Sequence, residues 1–253
     1  MKKNSKNSYN NNSDLSYLTE LINDFPYHKK VSPEKAEKQL IARYLQLEKK
    51  IPDFLKPLND INLGKSISKH CPEFPDTNDK FPKYFYYLMF MSHRFLFSKI
   101  LNNAGQFRKS LDPNGGKIGF GGLDYRIISN FRFSGSPCDK IENDLIKCFA
   151  VLIKNPIDPL FNSVEFYRRF VKIHPFYDGN GRIGRFIISV YNLYHGNYIK
   201  WSEIETGGNK SEFIKRLNEC HKREGQPIYD KYFGYLISFF RKFILKISDI
   251  MEQ

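Results

Sequence analysis

Cysteine is scarce in this chain. Four occur in 253 residues (Cys71, Cys138, Cys148, Cys220), none in a CxxC pair and only Cys71 beside a histidine, His70. A structural zinc site or a disulfide framework needs tighter clustering, so these thiols are expected to be buried or incidental in a reducing compartment. Long apolar runs are missing as well. The stretch from Tyr235 to Phe240 is cut off by Arg241, and nothing approaches the roughly 18 residues that span a bilayer. The N-terminal lysines lead into no apolar core, which argues against a secretory signal. The expectation is a soluble, cytoplasmic chain with no membrane partner, translocation into a host cell being left open.

Acid is the other shortage. Asp and Glu number 27 against 40 Lys and Arg, a net charge of +13. The deficit is local: residues 80–135 hold nine basic groups against only Asp112 and Asp124, a net +7. An anionic partner beside this segment would account for it, whether nucleic acid, nucleotide phosphates or an acidic protein surface; a solvated basic face is the plainer alternative.

What is present fits one large domain with a smaller appendage. Hydrophobic residues make up 41% and charged residues 26%, an ordinary globular balance with enough length to bury a core. Residues 1–13 hold five Asn, three Ser and three Lys and read as a disordered tail. Helical spacing starts near Ser13-Asp14 with Leu15, Leu18, Leu21 and Ile22. A second helix fits 33–50, where Ala36, Leu40, Ile41, Tyr44 and Leu47 form one stripe. Prolines at 52, 57, 72, 75 and 82 make 51–82 a loop-rich connector. Residues 83–103 predict a buried aromatic helix. Between Gly105 and Gly135, clustered glycines, the β-prone run Tyr125-Arg-Ile-Ile and an Asn114-Gly115 turn signal predict a hairpin or extended flap. Helices return over 139–154, ended by Asn155-Pro156, and over 162–173.

The second of these runs into His174-Pro-Phe-Tyr-Asp178-Gly-Asn180-Gly181-Arg182-Ile-Gly-Arg185, followed by a helix whose stripe is Ile183, Phe186, Ile187, Val190 and Tyr191 and whose end suits Gly196. A helix–loop–helix junction of this kind puts Gly179-Asn180-Gly181 at a helix N-terminus, where free amides and the helix dipole attract anions. Arg182 and Arg185, three apart, lie on one helix face and could reach the same anion. Asp178 is a hard oxygen ligand suited to Mg²⁺ bound through phosphates. His174, across the loop, is placed to take a proton near neutral pH. A base, a metal ligand, an amide cradle and positive charge are what phosphoryl-transfer chemistry requires.

The motif resembles, without departure, HxFx(D/E)GNGRxxR, the core motif of the Fic (filamentation induced by cAMP) family. Gly105-Gln-Phe-Arg108 with the Gly-rich stretch after it is similar to that family's target-docking flap, and Asp158-Pro-Leu160 leading into a helix is typical of it. The resemblance covers about 83–200 as a catalytic core, leaving a tail at 1–13, a helical extension and connector at 14–82 and a C-terminal helical extension at 201–253. It implies an all-α fold, a Fic-like helical bundle with a β-hairpin flap. It also implies an enzyme that transfers AMP from ATP to a Tyr, Thr or Ser hydroxyl of a target protein, releasing pyrophosphate, with self-modification a further outcome. On that resemblance His174 would deprotonate the hydroxyl and Asp178 would hold Mg²⁺. Gly179, Asn180 and Gly181 would bind the α- and β-phosphates, Arg182 and Arg185 the β/γ end, with His174, Asn180, Arg182 and Arg185 the catalytic set. A kinase-like branch carries lysine where this chain has Gly181, which favours nucleotidyl transfer. The motif does not separate ATP from UTP, GTP or CDP-choline.

Many relatives carry an inhibitory helix, (S/T)xxxE(G/N), whose glutamate meets the second motif arginine. Two partial matches occur, Ser16 to Glu20 followed by Leu21 and Ser248 to Glu252 followed by Gln253; a separate antitoxin-like partner is the other route to restraint. Two further readings compete with the transferase. One is a nucleic-acid-binding protein using 80–135, disfavoured because the segment has no recognition-helix or RNP-type pattern. The other is a catalytically silent interaction module, disfavoured by the intact His174 and arginines.

Overall fold

The structure, a computed structural model, describes residues 29–60, 67, 80–120 and 133–248. The polar tail, the first predicted helix with Glu20, Cys71 with its neighbour His70, the run Tyr125-Arg-Ile-Ile and Glu252 lie outside the described residues.

Helix α1 (Pro33–Lys49) starts on Ser32, whose hydroxyl accepts the Lys35 amide at 3.4 Å, and buries Ala36, Leu40, Tyr44 and Leu47 as the spacing predicts. The described start of the connector, residues 51–60, is more regular than its prolines suggest. It forms helix α2 (Ile51–Leu55) and a 3₁₀ turn, Lys56–Asn59. Pro52 and Pro57 both fall in a first turn, where the missing N–H has no partner to lose. Helix α3 (Lys80–Phe97) stops six residues before the periodicity does. Its end is taken up by long-range donors: Arg43 of α1 bonds the Phe95 carbonyl and, at 2.9 Å, the Ser98 hydroxyl, while Lys29 Nζ donates to the Ser98 carbonyl at 2.8 Å.

The flap is seen at its base. Strand β1 (Gly119–Phe120) pairs antiparallel with β2 (Phe133–Ser134), Phe120 opposite Phe133. The Asn114-Gly115 turn is real, with φ of 58° and 63°, but it precedes β1 instead of joining the two strands.

Helices α4 (Ile141–Ala150), α5 (Pro159–Ile173) and α6 (Asn180–Tyr194) follow. After them come β3 (Asn197–Ile199), α7 (Trp201–Ile204), α8 (Gly207–Arg223), α9 (Tyr229–Arg241) and β4 (Ile244–Lys246). The antiparallel pair β3–β4 is a second small sheet that no sequence signal announced, since β3 precedes the C-terminal extension and β4 lies beyond three of its helices. Among the described residues the fold is thus helical with two short two-stranded sheets.

Aromatic rings carry much of the core, at the centroid spacings rings prefer. Phe149 sits 5.5 Å from Tyr86 and 4.8 Å from Phe166, tying α3, α4 and α5 together; Phe85 and Tyr191 join α3 to α6 at 5.8 Å. Cys148 and Cys220 are buried, Cys138 is half-buried, and all three are free thiols.

Helix α5 is anchored by a charged cluster. Glu165 is buried and takes Arg168 through both oxygens (2.8 and 3.0 Å), Arg169 at 2.6 Å and the Tyr229 hydroxyl at 2.7 Å. Arg168 reaches on to Glu224 at 3.0 Å, which Lys172 also meets. Burial pushes the Glu165 carboxyl upward, yet the Arg168 bonds outweigh it and hold it below the usual range. Removing one member of such a buried pair strands the other charge, so Glu165→Ala is expected to cost about 3–5 kcal/mol in urea denaturation; a loss within the error of wild type would show the cluster to be dispensable.

Candidate active site

Helix α5 is capped by Asp158, whose side chain accepts the Phe161 amide at 3.0 Å, and it ends because His174 turns left-handed (φ 53°, ψ 58°). Such a backbone costs a non-glycine residue roughly 1–2 kcal/mol and lifts the imidazole out of the helix. The ring is half-buried and stacks on Phe120 of the flap, centroids 5.2 Å apart and planes 14° apart. His174 Nδ1 lies 3.2 Å from the Val171 carbonyl. A carbonyl only accepts, so Nδ1 carries the proton and Nε2 keeps its lone pair. Burial, and then the nearby Arg108, lower its pKa from 6.5 to about 4. The imidazole is therefore neutral at pH 7, the state a base needs.

The loop closes on itself through Asn180. Its Oδ1 accepts the Phe176 amide at 3.0 Å and its Nδ2 donates to the Phe176 carbonyl at 2.8 Å, with the residue only 2% exposed. Gly179 starts α6 at φ 81°, where a Cβ would sit 2.3 Å from the Phe97 ring, so both backbone and packing demand glycine. Gly181 differs: a Cβ there would meet only Arg185 Nη1 and the Tyr167 hydroxyl, each at 3.8 Å. Packing leaves that position room for a side chain, and the sequence leaves it empty.

The predicted residues converge on the α5–α6 junction, but the two arginines divide. Arg182 lies over Phe97 (5.6 Å) and approaches the Asp178 carboxylate at 3.6 Å. Arg185 lies over Trp201 (5.8 Å) and pairs with Glu205 at 2.8 Å, both side chains being buried. Tyr167, its pKa pushed up to about 12 by burial, also bonds Arg185. Sequence reading missed Glu205. It stands in Trp201-Ser-Glu-Ile-Glu205, outside any inhibitory pattern, and only the turn through β3 and α7 carries it to Arg185. Among the described basic groups of 80–135, Lys83 and Arg108 are buried and unavailable to a partner.

Among the described residues no group of three or more His, Cys, Asp or Glu could cage a metal. Asp178 does fit Mg²⁺ as this ion is usually held beside nucleotides, by one or two carboxylates with phosphate oxygens and water supplying the rest. Among the described residues no helix is long and apolar enough to cross a membrane.

The sequence model of the Fic/DOC family matches residues 86–191. That segment is a Fic/DOC domain. It spans α3 to α6 and contains every motif residue, while Glu205 lies beyond it. No curated protein matches the chain. Among solved structures, the chain is similar to the BepC protein, a VirB-translocated Bartonella effector from Bartonella tribocorum with bound AMPPNP (TM-score 0.52, 14% identity, 92% of this chain and 98% of that one). It is also similar to the N-terminal Fic domain of a VirB-translocated Bep effector from Bartonella quintana with bound ADP (TM-score 0.51, 14% identity, 95% and 99%). A Fic family protein from Desulfovibrio desulfuricans matches at TM-score 0.45 and 16% identity, over 83% of this chain and 66% of that one. At such identities the likeness to the two Bartonella structures is one of fold.

Three histidines that burial keeps neutral predict acid sensitivity. Burial lowers the pKa of His174 to about 4 and that of His93 to about 3, and in α8 that of His221 to about 3. As pH falls through 6.5 the unfolded chain takes up protons that the folded one refuses until pH 3–4, so stability drains away over that window. A melting temperature several degrees lower at pH 5 than at pH 7.5 is expected; an equal or higher value would contradict these burials.

Proposed function

We propose that this protein transfers AMP from ATP to a hydroxyl side chain of a target protein. The observation that carries the reading is the pairing of a neutral His174, its Nε2 lone pair open, with an amide-rich helix start flanked by Arg182 and Arg185. The adenine nucleotides bound in the two Bartonella structures support ATP as the donor. The empty space at Gly181, beside Arg185, supports room for phosphate where a side chain would fit.

In this scheme the triphosphate lies along the start of α6, where the first amides of the helix face it; the Gly179 amide is held by Asp178 Oδ1 at 2.5 Å, and Asn180 keeps the loop in shape. His174 Nε2 takes the proton of the target hydroxyl as its oxygen attacks the α-phosphorus. The bond from that phosphorus to the bridging oxygen breaks, and pyrophosphate leaves with the electron pair. Arg182 and Arg185 bind the departing end. Mg²⁺ held by Asp178 and phosphate oxygens would offset the charge. The label should come from α-labelled and not γ-labelled ATP, with pyrophosphate released, and His174→Ala should abolish it while leaving AMPPNP binding within about twofold. Labelling from the γ-position alone would mean phosphorylation and overturn the reading.

Glu205 bears on the same site. Its charge already neutralises Arg185, and a terminal phosphate must compete for that guanidinium. Glu205→Gln keeps the shape and removes the charge, so the KM for ATP should fall by about threefold to tenfold, up to 1.4 kcal/mol. An unchanged or higher KM would make Glu205 a support for Arg185 and not its competitor.

A further inference from the structure

Two buried side chains outside the motif grip its two ends, and the scheme above uses neither. Arg108, 2% exposed, spends its guanidinium on backbone carbonyls, with Nη1 also 3.8 Å from the Cys138 sulfur. Nε donates to His174 at 2.7 Å; Nη2 donates to Ser136 at 2.8 Å and Ile173 at 3.3 Å; Nη1 donates to Gly116. Its own amide donates to the Pro175 carbonyl at 3.1 Å. One planar fork therefore joins the end of α5, the turn before β1 and the segment after β2. A lysine, with three donors on one atom, cannot serve these directions together. The carbonyls it holds flank the left-handed residue, and a strained backbone persists only where its surroundings over-determine it.

His93, on α3 and 1% exposed, grips the other end. Its Nδ1 accepts the Gly105 amide at 2.8 Å, so Nε2 carries the proton and donates to the Asp178 carbonyl at 3.1 Å. The ring lies flat on Phe176, centroids 3.8 Å apart and planes 17° apart. Asn180 fixes the middle of the loop; Arg108 and His93 fix its ends to the rest of the domain.

We propose that Arg108 and His93 are separate positioning residues of this loop, Arg108 setting the proton-accepting His174 and His93 setting the Asp178–Gly179 end that receives the nucleotide. The kinetic part rests on the AMP-transfer reading; the geometric part does not. The two residues should then fail differently. Arg108→Lys should lower the rate of self-labelling from α-labelled ATP about 100-fold, the cost of a base displaced by about an ångström, with KM for ATP and Kd for AMPPNP within about twofold of wild type. His93→Asn keeps an acceptor for Gly105 but falls short of Asp178. It should raise KM and the AMPPNP Kd about tenfold, and His93→Gln, whose amide nitrogen reaches the Nε2 position, should restore them to within about threefold.

The experiment combines those kinetics with AMPPNP titration and nitrogen-15 histidine spectra of the full chain. The His174 ring signals should move in Arg108→Lys and stay in place in His93→Asn. Titration and spectra require no transfer, so a wild type that labels nothing sinks the AMP-transfer reading while these arms still judge the positioning. In the wild type itself the Arg108 Nε–H should exchange slowly with solvent and couple through its hydrogen bond to the His174 carbonyl carbon, a measurement that stands if a variant fails to fold. Fast exchange with no coupling would overturn the Arg108 assignment. Equal proportional losses in KM and rate for both variants, matching those of a core variant such as Phe161→Leu with the same drop in melting temperature, would reduce both residues to general structural support.

Discussion

The site depends on one event in the backbone: α5 stops at Ile173 and the chain turns left-handed at His174. Were the helix to continue, His174 would project from its side and no loop would exist to lead into the amides of α6. The turn is unfavourable for histidine by itself, so its occurrence has to be enforced from outside the motif. The enforcing groups are polar and buried, and they bind carbonyls that a helix end would otherwise leave without partners. Satisfying those carbonyls and holding the imidazole are one structural act. The same bonds that end the helix orient its last side chain.

Charge is arranged by a related logic. Arg182 and Arg185 sit on one helix and one turn apart, yet each lies on its own aromatic face and meets its own carboxylate, Phe97 with Asp178 and Trp201 with Glu205. Two uncompensated guanidinium groups so close to a dry core would cost several kcal/mol. With one carboxylate apiece the site is close to neutral before an anion arrives. In the proposed scheme the attraction for a triphosphate would then come from the α6 amides and from whatever part of each arginine the anion could win, so the strength of either local pair would tune what the anion feels.

How much of this the sequence could show follows from contact range. The helices near the motif were legible because their apolar stripes are local, and Gly179 starts α6 for reasons carried by neighbouring residues; α5 begins at Pro159, three residues ahead of its predicted stripe, on the cap supplied by Asp158. The motif was legible because its chemistry is contiguous. The early stop of α3 was not, since Arg43 and Lys29 reach across from elsewhere to take its last carbonyls. Nor was β3–β4, whose two strands are separated by the whole of α7, α8 and α9. Asn114-Gly115 gave a correct turn and a wrong place for it, because φ > 0 marks a turn without saying which strands it joins. Glu205 was illegible for the same reason as β4: nothing in Trp201-Ser-Glu-Ile-Glu205 distinguishes an exposed helix end from a carboxylate buried against Arg185.

The basic segment shows that net charge alone does not count the charge at a surface. Its +7 excess suggested anions beside 80–135, yet among the described residues two of its cations are taken into the interior. Arg108 is turned inward and consumed by carbonyls, and Lys83 is buried on α3. A guanidinium that binds backbone needs no counter-carboxylate, so such a residue inflates the net charge of its segment while contributing little field at the surface. Where a loop must hold a strained turn in a buried setting, an unpaired cation in the sequence is as much a sign of carbonyls to be gathered as of a negative partner to be met.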